Sequence, residues 1–146
     1  MLKGISKFIG PELLALLHRM GHGDEIILAD AHFPGHTLGS QVLRADGITI
    51  VQLLEGILPL FELDTYAAPL VMMEAAPQDT LDPQVESDYM EVIRRYAPGA
   101  GVPQRLERHA FYQRTRTVFA VVMTGELRKY GNLLLKKGVT PVPTGS

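Results

Sequence analysis

Apolar residues recur along the chain in two rhythms, one helical and one extended, and the two alternate. Behind Pro11, which a first helical turn accepts, Leu13, Leu14, Leu17 and Met20 return at helical spacing. Gly21 is expected to stop that helix in the left-handed conformation. The run Glu25-Ile26-Ile27-Leu28-Ala29 then reads as a short buried strand. A second helix begins near Thr49 and puts Ile50, Leu53, Leu54, Ile57, Leu58 and Phe61 on its buried side, until Pro59 kinks or ends it. Pro69-Leu70-Val71-Met72-Met73 lacks alternation, as a strand covered on both faces does. Asp82 as N-cap and Pro83 at the first position open a third helix through Val85, Tyr89, Val92 and Ile93. After a loop from Ala97 to Pro103, a short polar helix is predicted from Arg108 to Arg116. Thr117 to Met123 is the strongest strand, and Asn132 to Leu135 the last. Helices alternating with short apolar strands predict a layered α/β/α single domain around a central mixed sheet, spanning residues 1–141. Residues 142–146 read as a flexible tail.

Composition narrows the partners. The 146 residues suffice for one cored domain, and 46% apolar with 21% charged residues is ordinary for a globular chain. A net charge of -2 makes no electrostatic case for nucleic acid or an anionic membrane. The absence of cysteine rules out disulfides, a thiol nucleophile and thiolate metal sites. The first residues lack a signal-peptide pattern, and no apolar run approaches the roughly 20 residues of a membrane helix. A soluble cytoplasmic protein is expected.

Polar chemistry is concentrated on either side of the first predicted strand, in Gly21-His22-Gly23-Asp24 and in Asp30-Ala31-His32-Phe33-Pro34-Gly35-His36. Histidines in that density favour proton transfer or ligand binding, since imidazole exchanges protons near neutrality. Taken locally, His22 fits both a proton-transfer group and a solvated loop histidine. Asp30 ends a strand, where α/β sheets place ligand groups, although an Asx-turn or N-cap is the commoner local role. A straight strand would keep His22 and Asp30 well beyond a direct hydrogen bond. They can line one pocket across a ligand, or belong to sites completed by other segments or subunits. His18 and His22 have a metal-like spacing, but Gly21 interrupts the helix between them, and no zincin signature supports His32 with His36. No metal is expected. Arg108, His109, Tyr112 and Arg114 form a basic, aromatic segment, and Tyr130-Gly131-Asn132 a turn whose backbone freedom Gly131 would supply.

Taken together, these segments resemble the fucose mutarotase and ribose pyranase family. The matching pieces include Met20-Gly21-His22-Gly23-Asp24-Glu25-Ile26, Asp30-Ala31-His32-Phe33-Pro34, Pro59-Leu60-Phe61-Glu62-Leu63-Asp64, Ala110-Phe111-Tyr112, and the run from Lys129 to Val139. They occur in family order over nearly the whole chain apart from the tail. The stretch from Glu74 to Gln104 is the least family-like. The resemblance implies a cofactor-free isomerase that interconverts the α and β anomers of a free monosaccharide. It also implies a ring-forming homo-oligomer, commonly a decamer, with sugar pockets at subunit boundaries. By the family pattern His22 is the catalytic proton donor. Asp30 and Arg108 bind sugar, Tyr130, Gly131 and Asn132 complete the site, and Tyr112 adds an aromatic face and a hydroxyl. His32-Phe33-Pro34 and Ala110-Phe111-Tyr112 point to the fucose type, hence to L-fucose. A D-ribose pyranase and a non-catalytic monosaccharide-binding module are the competing readings, with a metal-dependent hydrolase behind them. Anomer exchange needs a modest acid and base and no metal or nucleotide. The base can be a carboxylate, a tyrosine or an ordered water.

Overall fold

Successive residues of the central strands face opposite ways, and this parity divides the core in two. The computed structural model describes residues 1–145 and builds one mixed sheet. Its strands are β1 (Glu25–Ala29), β2 (Val42–Ala45), β3 (Leu70–Met73), β4 (Gln104–Leu106), β5 (Ala120–Thr124) and β6 (Leu133–Lys136), in the order β2-β5-β1-β6-β3-β4. β6 runs antiparallel to both β1 and β3, and the other pairings are parallel. Ile26, Leu28, Leu70, Met72, Val122, Leu133 and Leu135 share one apolar cluster. The same cluster holds the buried faces of α1 (Pro11–Arg19), α3 (Ile50–Ile57) and α4 (Pro83–Tyr96). Ile27, Ala29, Val71, Met73, Val121, Met123 and Leu134 share the other, with Leu38 from α2 (Gly35–Leu38) and Phe111 from α5 (Arg108–Thr115). The expected α/β/α layering results from strands whose neighbouring residues must both be buried.

Local signals set most helix starts. Thr49 and Gln52 form a reciprocal capping box at α3, and the Asp82 side chain accepts the Gln84 N–H at 2.9 Å at α4. Pro59 ends α3 in a single 3-10 turn, Leu58–Leu60. Several expectations are corrected. α1 ends at Arg19 with Met20 extended, and the left-handed residue of the following turn is Gly23 (φ 86°), not Gly21. There the Gly21 N–H is bound by the Asp24 carboxylate at 2.7 Å, which closes the turn without a left-handed glycine at its start. α2 and the edge strands β2 and β4 carry no strong sequence pattern. The two strands are partly solvated, so neither the continuous apolar run of a central strand nor a clean alternation marks them. β5 begins at Ala120, because Thr117 and Val118 still belong to turns that leave α5. Val142 to Gly145 are exposed and outside any strand or helix; Ser146, the end of the expected tail, lies outside the described residues. No helix among the described residues is long and apolar enough to cross a membrane.

One ion pair ties a helix to the sheet. Arg114 in the last turn of α5 grips both oxygens of Glu25 at the start of β1, through Nε at 2.9 Å and a terminal nitrogen. Burial pushes the Glu25 carboxyl up, but Arg114, aided by Lys136, more than offsets this and holds it below its ordinary 4.5. A depressed carboxylate stabilises the fold above pH 4.5 and loses that contribution as pH falls through its folded value. Arg114→Ala is therefore expected to cost about 2 kcal/mol at pH 7, less than a wholly buried pair because Arg114 is partly exposed. The cost should shrink as pH falls from 7 through the folded Glu25 value, and urea unfolding along a descending pH series measures the loss.

Candidate functional site

Strand direction decides which loops meet. Because β6 is antiparallel to β1 in the register Leu28↔Leu133, the residue after β1 comes to lie beside the residues before β6. Asp30 thus meets Gly131 and Asn132. The Asp30 N–H donates to Asn132 Oδ1 at 2.8 Å, and Asp30 Oδ2 accepts the Gly131 N–H at 3.2 Å. Asp30 Oδ1 accepts the His32 N–H at 3.0 Å, so the local Asx-turn and a long-range role coexist. β3 and β4 run parallel to β1 through this sheet, so Met73 and, just beyond β4, Arg108 reach the same edge. This is the edge at the carboxyl ends of the parallel strands, where open α/β sheets bind ligands.

A cavity of about 400 Å³ opens there, the size of a small-molecule site. Asp30, His32, Arg108, Lys129, Tyr130 and Asn132 give it a polar wall, and Phe33, Pro34, Met73 and Tyr112 an apolar one. Tyr112 packs edge-on to Phe33 at 5.7 Å. Asp30 is 3% exposed, and burial pushes its carboxyl above the ordinary 3.8 despite the N–H groups of His32 and Gly131. A buried carboxyl so displaced, on the wall of an open cavity that Arg108 also lines, is a feature of ligand sites.

The loop that carries Tyr130 to Asn132 is braced from behind. Tyr89 of α4 donates its hydroxyl proton to Gly131 O at 2.7 Å, and burial next to Glu126 pushes that phenol up. Arg128 bridges Glu126 and Asp88, with contacts at 3.0 and 2.7 Å. The Gly131 N–H and C=O are thus both bound within the protein, and a Cβ at Gly131 would stand 2.9 Å from the Tyr89 hydroxyl. Close packing explains the glycine. The left-handed residue is its neighbour Tyr130 (φ 58°), which corrects the expectation that Gly131 supplies the unusual backbone.

His22 lies elsewhere in the chain's own fold. It precedes β1, at the sheet edge opposite the cavity, where the Gly23 N–H binds Lys137 O at 2.8 Å. β1 alone separates the two edges by roughly 16 Å. The His22 side chain is 46% exposed, its Nε2 is 3.2 Å from Asp64 Oδ1, and its ring lies 5.2 Å from that of Tyr66. The Tyr66 N–H, and after it the His22 ring, hold the buried Asp64 carboxyl below the usual range against the opposing effect of burial. An exposed imidazole oriented by a buried carboxylate is equipped to transfer a proton outward.

The single chain therefore gathers Asp30, Arg108, Tyr112, Tyr130 and Asn132 around a cavity, with Gly131 just behind, and leaves His22 apart. Sequence reasoning weighed His32 within the histidine cluster, as a metal ligand and as a subtype marker, without placing it at the sugar site, and it assigned no site role to Met73, Lys129 or the His22 partner Asp64. Asp64 gives no local signal, because its partner is 42 residues away. Among the described residues no group of His, Asp or Glu is arranged to hold a metal ion.

Known proteins match this chain end to end. Residues 3–140 fit the model of the RbsD / FucU transport protein family. An L-fucose mutarotase of Actinobacillus pleuropneumoniae is 58% identical over 143 residues, 97% of this chain and 99% of its own. The crystal structure of a fucose mutarotase from Streptococcus pneumoniae, in complex with L-fucose, superposes with a TM-score of 0.91 at 38% identity, over 96% of this chain and all of that one. Bacillus subtilis RbsD, complexed with D-ribose, shares the fold at TM-score 0.70, with 19% identity over 97% of this chain and all of its own.

Proposed function

The chain belongs to the RbsD / FucU family, and on that footing we propose that it is an isomerase interconverting the α and β anomers of L-fucose. The carrying observation is the full-length likeness to relatives named fucose mutarotase, one of them solved with L-fucose bound. The ribose-bound relative is far more distant in sequence, and His32-Phe33-Pro34 stands at the cavity in the fucose-type form.

An acid protonates the ring oxygen as a base, whether a carboxylate, a tyrosine or an ordered water, takes the proton of the anomeric hydroxyl; the ring opens, the C1–C2 bond turns in the aldehyde, and the ring closes on the other face with the proton transfers reversed. His22 is the acid in this reading, and Asp64 orients its ring. Asp30 and Arg108 hold sugar hydroxyls by charge-assisted hydrogen bonds, with Tyr130 and Asn132 beside them. Phe33, Met73 and Tyr112 offer apolar surface to the sugar's C–H groups. Since one fold holds His22 and this cavity at opposite sheet edges, the acid comes from a neighbouring copy. The active form is then a ring-like homo-oligomer, a decamer by the family pattern, working in the cytoplasm. No cofactor enters.

Saturation-transfer proton NMR on the anomeric signals of L-fucose, D-ribose and D-galactose tests the reading. Enhanced exchange on fucose, indifferent to chelator, is expected. Enhancement confined to ribose would make the chain a pyranase, and binding without exchange a sugar-binding module. Light scattering should report a large cyclic assembly, and a folded monomer with full exchange would rule out the shared site.

A further inference from the structure

The turn between β3 and α4 does more than connect them. The Asp79 N–H closes it onto Ala76 O at 2.9 Å, and both residues then reach Tyr130, more than fifty positions later. The Ala76 N–H points at the Tyr130 hydroxyl at 3.2 Å, and that hydroxyl lies 3.1 Å from Asp79 Oδ2. Lys129 Nζ reaches the same oxygen at 3.0 Å, and Asp79 Oδ1 accepts the Thr80 N–H at 2.9 Å. Lys129, followed by the Thr80 N–H and the Tyr130 hydroxyl, keeps the Asp79 carboxyl below the usual range, hence ionised and purely an acceptor.

These bonds leave the phenol one orientation. A hydroxyl has one proton and two lone pairs. An ionised carboxylate cannot donate and a backbone N–H cannot accept, so the proton goes to Asp79 and one lone pair to Ala76. One lone pair remains, on a side chain that lines the cavity. The left-handed backbone of Tyr130 is a conformation that side-chain-bearing residues keep only where surroundings impose it, and this clamp does so.

We propose that Asp79 is a positioning residue for the sugar site: it fixes the Tyr130 hydroxyl as a hydrogen-bond acceptor for one sugar hydroxyl and pins Lys129 at the same rim. The inference rests on reading the cavity as a monosaccharide site, and it gives Tyr130 a receiving role toward substrate rather than that of a proton donor.

A double-mutant cycle tests it, with Asp79→Ala, Tyr130→Phe and the pair compared in anomer exchange of L-fucose. Each single change is expected to raise KM about tenfold with kcat little altered, and the pair to be no worse than the poorer single. Asp79→Asn, whose amide oxygen can still accept the phenol proton, should restore most of the affinity, which it would not do for a folding defect. Additive losses, about a hundredfold in the pair, would overturn the proposal. Wild-type exchange is measured first: its absence defeats the functional reading alone. The cycle is then scored on hydrogen exchange of the Ala76 amide, expected to quicken in both singles and no further in the pair. Additive loss of protection there overturns the clamp itself.

Discussion

His22→Ala and Asp30→Ala proteins, each nearly inert alone, are expected to regain anomer exchange when unfolded together and reassembled. The two residues bracket β1 and occupy opposite edges of one sheet, so no rearrangement short of unfolding brings them together in a single chain. Removing a positioned proton-transfer group costs roughly 10²–10⁴ in rate, which sets the expected loss for His22→Ala. If the active form is a ring of equivalent boundaries, each site would take its imidazole from one copy and its carboxylate from the next. Random mixing leaves roughly one boundary in four with both groups intact, so about a quarter of wild-type exchange should return. His22→Ala alone should keep its assembly and some sugar affinity, because nothing in the cavity wall changes. Mixed assemblies that form, by native mass spectrometry, yet stay inert would remove His22 from the reaction and move the acid role to a group inside the cavity, with His32 first in line.

Asp30→Asn separates activity from stability. Its two carboxylate oxygens each accept a backbone N–H, from His32 and from Gly131. An asparagine keeps one acceptor and turns an NH₂ toward the other donor, so the turn bearing Tyr130 and Asn132 loses its register at the cavity. Fucose exchange is expected to fall at least 10²-fold. Stability answers differently, because burial holds the Asp30 carboxyl above the ordinary 3.8. A carboxyl raised in the folded state contributes its stability below its unfolded pKa and loses it as pH rises through the folded value. Wild type should therefore exceed Asp30→Asn in unfolding free energy by more at pH 4 than at pH 7. The acid limb of wild-type kcat/KM should also fall above pH 3.8. A variant margin that widens with rising pH would contradict the burial argument.

Local pattern in the chain determined the parts that depend on periodicity and burial. Glu25–Ala29 and Leu70–Met73 are strands because every position is apolar or paired and buried on both faces. α3 and α4 start where Thr49 and Asp82 can cap them, and Asp30 stands out because a carboxylate follows an apolar strand. Order of motifs was enough to place the chain in its family, and with it the fucose-type residues around Phe33 and Tyr112.

Pairing across the chain was decided only by the tertiary structure. The antiparallel insertion of β6 between β1 and β3 sets Asp30 against Gly131 and Asn132, about a hundred residues apart. Apolar strands of similar length are interchangeable as local strings, so neither register nor direction can be read from them. The edge strands Val42–Ala45 and Gln104–Leu106 escaped notice because partial solvation removes the burial signal. Asp64, Asp79 and Glu126 are ordinary acidic residues in the string. Each acquires its role from a partner that folding delivers: the His22 ring, the Tyr130 hydroxyl and the Arg128 guanidinium.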